Sequence, residues 1–196
     1  MIIPIIAYGD PVLRKVGAEI TKDYPDLNNI ISDMFETMYK ALGVGLAAPQ
    51  VGKSIRLFIV DTKPFTEKAD DDEFTEKERL QLTGFKKVFI NAKILEEKGD
   101  EWDFNEGCLS IPKIREDVLR KPKIRIQYVD ENFKSFDETY DGLIARVIQH
   151  EYDHIDGKLF TDKISPLRRR LLKGRLNDIS KGNVKVDYKM KFPIKK

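Results

Sequence analysis

Gln149-His150-Glu151-Tyr152-Asp153-His154 holds both histidines of this chain. It sits in a longer segment, Asp141 to Ile155, where Leu143, Ile144, Val147, Ile148 and Ile155 recur at helical spacing and cover much of the circumference. A helix apolar over so wide an arc is expected to be central and buried. Residues four apart share a helix face, so His150 and His154 can aim their imidazoles at a common ion. Glu151 is offset about 100° from His150 by the helical period, beside that ion rather than behind it. A carboxylate there can reach a water on the ion without becoming a ligand. The ion lowers the water's pKa toward neutrality, and Glu151 is the acceptor for its proton.

Two histidines leave a divalent ion under-ligated. The only cysteine, in Glu106-Gly107-Cys108-Leu109-Ser110, is the best candidate for a third ligand, because a thiolate suits borderline-soft ions. The plainer readings are a chance His-Glu-x-x-His and a small buried apolar cysteine. Against them stands the desolvation cost of two histidines and a glutamate on an apolar helix, which partners must offset. Structural zinc prefers four protein ligands, and no fourth soft ligand is available, so the pattern points to a hydrolytic site. Gln50 closes the small-residue loop Gly43–Gln50, and its amide can donate to a developing oxyanion; an ordinary turn is the alternative. The Leu109 backbone amide is similarly placed if Cys108 is a ligand.

Outward from these segments, Asp26 to Leu42 reads as a helix through Ile30, Ile31, Met34, Phe35 and Met38, with Gly43 as its stop. Ile55–Val60 and Lys87–Asn91 read as strands. Lys123–Val129 alternates cleanly and turns at Asp130-Glu131-Asn132 into a partner strand, Phe133–Tyr140. Ser165-Pro166 has the form of an N-cap followed by proline. The helix it opens takes its apolar stripe from Leu167, Leu171, Leu172 and Ile179, and Lys185–Phe192 alternates as a closing strand. Thr62 to Gly84 is acidic and is expected to be a partly mobile surface excursion. These elements predict an α+β fold, with antiparallel strands packed around the buried helix, in one domain over residues 1–196.

The chain has 196 residues, 41% of them hydrophobic and 35% charged, ordinary values for a globular domain. A net charge of +2 does not argue for nucleic acid or membrane binding. One cysteine forms no internal disulfide, which fits a reducing compartment. The apolar start, Met1-Ile2-Ile3-Pro4-Ile5-Ile6, lacks the parts of a signal peptide, and no run is long enough to span a bilayer. A soluble cytoplasmic protein is expected.

Taken together, Gly43–Gln50 (G-x-G-x-A-A-x-Q), Glu106–Ser110 (E-G-C-L-S) and Gln149–His154 (Q-H-E-x-D-H) make the chain resemble the peptide deformylases, from the N-terminus to about Ser165. The resemblance implies one divalent metal ion held by Cys108, His150 and His154, with water or hydroxide as fourth ligand. The ion is typically Fe2+, replaceable by Zn2+, Ni2+ or Co2+. It also implies removal of the N-formyl group from the initiator methionine of nascent polypeptides, releasing formate. In that reaction the hydroxide attacks the formyl carbon, Gln50 and the Leu109 amide stabilise the oxyanion, and Glu151 moves the proton to the departing amine. Gly45 is expected at the substrate backbone, with extended peptide against a strand edge.

Val147 and Leu143, three and seven residues before His150, are candidates for the apolar slot, with Val44 and Phe104 completing its wall; plain core packing is the alternative for each. Arg146, four residues before His150, is expected near the pocket mouth, binding peptide carbonyls, pairing with an acid, or standing as a surface charge. Glu106 with Arg120 or Arg115 is expected to brace Cys108.

Three rivals remain. A zinc peptidase cutting internal bonds usually takes a third histidine or a glutamate as ligand, and this chain has no third histidine. An RNA- or ribosome-binding protein would use the basic helix and tail, about residues 166–196, through Arg168-Arg169-Arg170, Lys173 and Arg175, a stretch that can also be a solvated face. A deformylase-like fold without catalysis is disfavoured because every required polar group is present. No membrane partner is expected, and a monomer is.

Overall fold

The computed structural model describes residues 1–68, 70 and 73–193. Its strands and helices, in order, are β1 (Ile5–Ile6), α1 (Leu27–Lys40), β2 (Gly45–Ala47), β3 (Leu57–Asp61), α2 (Lys63–Lys68), α3 (Glu76–Gly84), β4 (Lys86–Lys98), β5 (Trp102–Cys108), β6 (Ile111–Arg120), β7 (Lys123–Val129), β8 (Ser135–Asp141), α4 (Gly142–Ile155), α5 (Pro166–Ser180) and β9 (Met190–Lys191). Strands β2-β3-β4-β7-β8 form an antiparallel sheet; β5 and β6 make a separate antiparallel hairpin; β1 and β9 pair in parallel.

The two histidines lie on α4, and this helix is central. Its Ala145, Val147, Ile148 and Ile155 are buried in one cluster with Ala47, Phe58, Val60, Phe89, Ile124 and Ile126 of the sheet. A polar helix end would not survive there without partners. The polar residues of α4 are therefore carried to one side, toward the β5–β6 hairpin. On the opposite side, α1 buries Ile30, Ile31, Met34 and Met38 with Leu57, Ile59 and Ile90. The antiparallel scheme around a buried helix is as expected.

Several elements differ from the sequence reading. The β5–β6 hairpin, which carries Cys108, was read only as a motif. In β6 the residues facing inward are Ile114, Glu116, Val118 and Arg120, so two charged side chains interrupt the apolar alternation that marks a strand. Helix α1 stops at a left-handed residue, but that residue is Leu42 (φ 57°), one before the expected glycine. In α5 the predicted capping holds, with the Ser165 hydroxyl accepting from the Arg168 amide. Its inward stripe, however, is Leu172, Leu176 and Ile179, while Leu167 and Leu171 are two-thirds exposed. The reason is rotational: Leu176 continues the face of Leu172 and Ile179, and Leu167 falls off it.

Thr62–Gly84 contains α2 and α3, tied by Thr62 Oγ1 to the Leu82 carbonyl (2.6 Å) and Thr66 Oγ1 to Thr83 Oγ1 (3.1 Å). Part of the mobility expected for this stretch falls on residues 69, 71 and 72, outside the described residues. The closing strand is shorter than Lys185–Phe192: only Met190–Lys191 pairs. Among the described residues no helix is long and apolar enough to cross a membrane.

Candidate metal centre

Three elements meet where α4 faces the hairpin. Helix α4 delivers His150, Glu151 and His154; the end of β5 delivers Cys108; a 3-10 turn after β2, Ala48–Val51, delivers Gln50. The potential ligand atoms of Cys108, His150 and His154 all lie within 4.8 Å of one another. Cys108 Sγ is 3.3 Å from His154 Nε2. The Gln50 amide has a defined orientation. Its Oε1 accepts from the Ala47 amide at 2.8 Å, which turns Nε2 toward Cys108 Sγ (3.5 Å) and Ser110 Oγ (3.3 Å).

Behind these residues lies a buried ionic network. Glu106 Oε2 accepts from His150 Nδ1 at 2.8 Å, which leaves His150 Nε2 free for the centre. Arg120 binds Glu106 through Nε (2.7 Å) and Nη2 (3.0 Å) and reaches Asp153 Oδ2 through Nη1 (2.7 Å). Of the two arginines open to Glu106 in the sequence, Arg120 is the partner; Arg115 binds Asn105 instead. Arg146 borders the cavity but does not stand out into solvent at its mouth. It is 2% exposed, lies 4.4 Å over the Trp102 ring, and gives Nη1 to Glu106 and the Val118 carbonyl and Nη2 to the Trp102 carbonyl. Of the three readings of Arg146, the pairing with an acid is the one realised, because its helix face turns under the hairpin rather than toward solvent.

Burial sets the protonation of the centre. Desolvation pushes the Glu151 carboxyl up to about 7. Desolvation also holds His154 well below the usual imidazole range, helped by the charge of His150. For His150 desolvation acts downward too, but hydrogen bonds to Cys108 and Glu106 outweigh it and raise the group.

One thiol and two imidazoles converging in a buried site fit a divalent, borderline-soft ion. A second observation agrees: Glu151 Oε2 and His154 Nδ1 are buried with no hydrogen-bond partner among the described residues. A buried carboxylate oxygen without a protein partner, beside the three candidate ligands, suits a group that handles the proton of a water. Gly45 is required by the same side chain, since a Cβ there would lie 2.7 Å from Glu151 Cγ.

A cavity of about 750 Å³ opens onto the centre. Val44, Gly45, Gln50, Phe104, Cys108, Leu109, Arg146, Val147, His150 and Glu151 all border it, and His154 lies behind them. Leu143 does not border it; one turn before Val147 the helix has passed the cavity edge. Among the contributions that the sequence reading missed, two come from segments far from the three motifs. Pro64 and Phe65 of α2 reach the cavity from the acidic stretch, and Lys185 to Tyr188 reach it from the tail. The alternation of Val184, Val186 and Tyr188 was the available signal for the tail; nothing in the acidic stretch singled out Phe65.

Comparison with known proteins agrees with the three motifs. Residues 2–170 match the polypeptide deformylase family. The peptide deformylase of Christiangramia forsetii is 60% identical over 193 residues, covering 98% of this chain and 97% of the relative. That of Flavobacterium johnsoniae is 59% identical over 196 residues, covering 100% and 98%. The crystal structure of a peptide deformylase from Legionella pneumophila superposes with a TM-score of 0.77 at 37% identity, covering 93% of this chain and 98% of that one.

Proposed function

This chain belongs to the polypeptide deformylase family, and we propose that it removes the N-formyl group from the initiator methionine of nascent polypeptides as a metal-dependent hydrolase acting in the cytoplasm. The observation that carries the reading is the convergence of Cys108, His150 and His154, with the unpartnered Glu151 carboxylate beside them. Cys108, His150 and His154 would hold one divalent ion, Fe2+ before Zn2+, Ni2+ or Co2+. When bound, the ion supplies Lewis acidity, polarising the formyl carbonyl and lowering the pKa of water.

The protein's own groups do the rest. Glu151, raised toward neutrality by burial, takes the proton of the attacking water and passes it to the departing amine of methionine. Gln50 Nε2, aimed by the Ala47 amide, and the Leu109 amide donate to the oxyanion that develops on the formyl oxygen. The methionine side chain enters the cavity between Val44, Phe104 and Val147. The peptide backbone runs beside Gly45 on β2, the edge strand of the five-stranded sheet among the described residues, so main-chain bonds tolerate many sequences.

Formate release from formyl-Met-Ala-Ser by the iron-loaded enzyme prepared without oxygen tests this reading. Turnover comparable on an unformylated internal peptide, or none on the formylated one, would refute it. Among the described residues the candidate ligand group is Cys108, His150 and His154, and a thiolate in place of a third histidine or a carboxylate ligand weighs against a general zinc peptidase.

A ribosome contact through α5 is a compatible second role, with the chain acting as a monomer. Arg169, Arg170 and Lys173 line a groove with Tyr8 and Asn177, where phosphates could be tracked. Arg168 is engaged instead with Glu116 (2.8 Å). Co-sedimentation with ribosomes that does not weaken with salt, or survives loss of residues 166–196, would remove it.

A further inference from the structure

The match to the family ends at residue 170, yet the wall of the cavity does not. Beyond α5 the chain turns at Gly182, in left-handed backbone (φ 79°), and returns across the molecule. From Val184 to Met190 the even-numbered residues are half-buried and the odd-numbered ones exposed, the period of an extended strand. Among the described residues only its far end is paired with another strand. The Ile5 amide donates to the Lys189 carbonyl and the Ala7 amide to the Lys191 carbonyl, both at 2.9 Å. Between Gly182 and this fastening, Lys185 to Tyr188 stretch along the cavity.

Tyr188 makes the specific contact. Its ring packs against the same apolar core as Leu109, and its hydroxyl donates to the Leu109 carbonyl at 2.8 Å. Leu109 and Ser110 form the two-residue connection of the hairpin, between paired Cys108 and Ile111. The Ser110 side of that turn is tied by the Tyr8 amide to its carbonyl (2.9 Å) and by Gln50 to its hydroxyl. Tyr188 ties the Leu109 side.

We propose that the return segment of the tail is part of the active site, and that Tyr188 is a positioning residue whose hydroxyl, by holding the Leu109 carbonyl, fixes the direction of the Leu109 amide. The inference rests on the deformylase reading, in which that amide is an oxyanion donor. The carbonyl and amide of one residue are joined through two backbone dihedrals, so anchoring the first restricts the second. An oxyanion donor acts through preorganisation, and a small misalignment weakens it in the transition state more than in the bound substrate. A purely packing role for Tyr188 would reside in the ring and not in the hydroxyl.

Tyr188→Phe keeps the ring and removes the bond; Tyr188→Ala removes both. Each full-length variant is loaded with metal and compared with the wild type for kcat and KM on formyl-Met-Ala-Ser, metal content, Tm and Leu109 amide hydrogen exchange by NMR. For Tyr188→Phe, kcat falls roughly tenfold, a fraction of the 10²–10³ lost when a whole donor is removed. KM stays within about twofold, metal content is unchanged, Tm moves by a few degrees at most, and the Leu109 amide exchanges faster. Tyr188→Ala loses more in kcat. A Tyr188→Phe enzyme with wild-type kcat and unaltered Leu109 exchange would overturn the proposal, as would losses seen only in Tyr188→Ala and tracking Tm or metal content. Absence of formate release from the wild type overturns the deformylase reading instead; the exchange measurement needs no turnover and still decides whether Tyr188 holds Leu109.

Discussion

Replacing Glu106 by glutamine removes one charge at the point where four donor atoms converge. Oε1 accepts from Arg120 Nε and Arg146 Nη1, and Oε2 from Arg120 Nη2 and His150 Nδ1. Glutamine has one acceptor oxygen, so its NH2 group must face one of these two pairs of donors. Arg120 keeps Asp153, but Arg146 loses the only carboxylate paired with it among the described residues. Removing one partner of a buried ion pair costs about 3–5 kcal/mol, and because glutamine retains some of the bonds the lower end, about 3 kcal/mol, applies. For a chain of this length each kcal/mol moves Tm by about 2–4 °C, so a fall of roughly 6–12 °C is expected. If the oxygen turns to the arginines, the NH2 faces His150 Nδ1 and favours the tautomer with its proton on Nε2, the nitrogen meant for the ion. Metal affinity then drops by about 10–100-fold. Calorimetry of Glu106→Gln without metal reads the first effect, and competition with a chelator reads the second. A Tm within about 2 °C of the wild type together with unchanged affinity would show that the network neither supports the fold nor orients His150.

Glu151→Ala should leave metal content intact and lower kcat by about 10²–10⁴-fold, since it removes the proton carrier and not a ligand; turnover retained by a metal-loaded sample would contradict that role. Gly45→Ala forces a methyl group against Glu151, so kcat on formyl-Met-Ala-Ser should fall while far-ultraviolet dichroism stays unchanged; wild-type kcat would show that Glu151 can move away freely. In β8, on the half-buried face shared with Phe136 and Tyr140, burial would raise the Glu138 carboxyl, but bonds from Lys87, Tyr128 and Tyr140 outweigh it and hold it low. Its contribution is therefore present above its ordinary value of 4.5 and lost as pH falls below it. Glu138 is 34% exposed, so Glu138→Gln should cost about 1 kcal/mol or less at pH 7, a difference that thermal melts should show shrinking as pH drops below about 4.

The parts of this protein legible in its sequence are those where one local pattern has one dominant physical cause. Helix α4 announced itself because apolar residues cover most of its circumference, and a soluble chain tolerates such a helix only at its centre. The β7–β8 hairpin was legible because Ile124, Ile126 and Tyr128 alternate against polar neighbours around a turn. The β5–β6 hairpin was not, because Glu116 and Arg120 occupy inward positions that the alternation rule reserves for apolar side chains. Those positions are satisfied by Arg168 and by Glu106 with Asp153, partners distant in sequence. Which of its three readings Arg146 takes was not legible for a related reason: helical spacing gives its face, while what covers that face depends on where the hairpin folds.

By itself the sequence pointed to Cys108, His150 and His154 as a group that could hold a metal, to the helix that carries the two histidines, and to the family the chain resembles. These follow from spacing along one chain and from the chemistry of side chains that are rare in it. Only the tertiary structure decided that Arg120 rather than Arg115 holds Glu106, that Arg146 lies beneath the site, that Leu143 falls outside the cavity, and that Phe65 and Tyr188 belong to its wall. Each of these depends on two segments being brought together from afar. A buried charge or a hydroxyl takes whichever partner the packing of the apolar core leaves within hydrogen-bond reach, and no local periodicity encodes that choice.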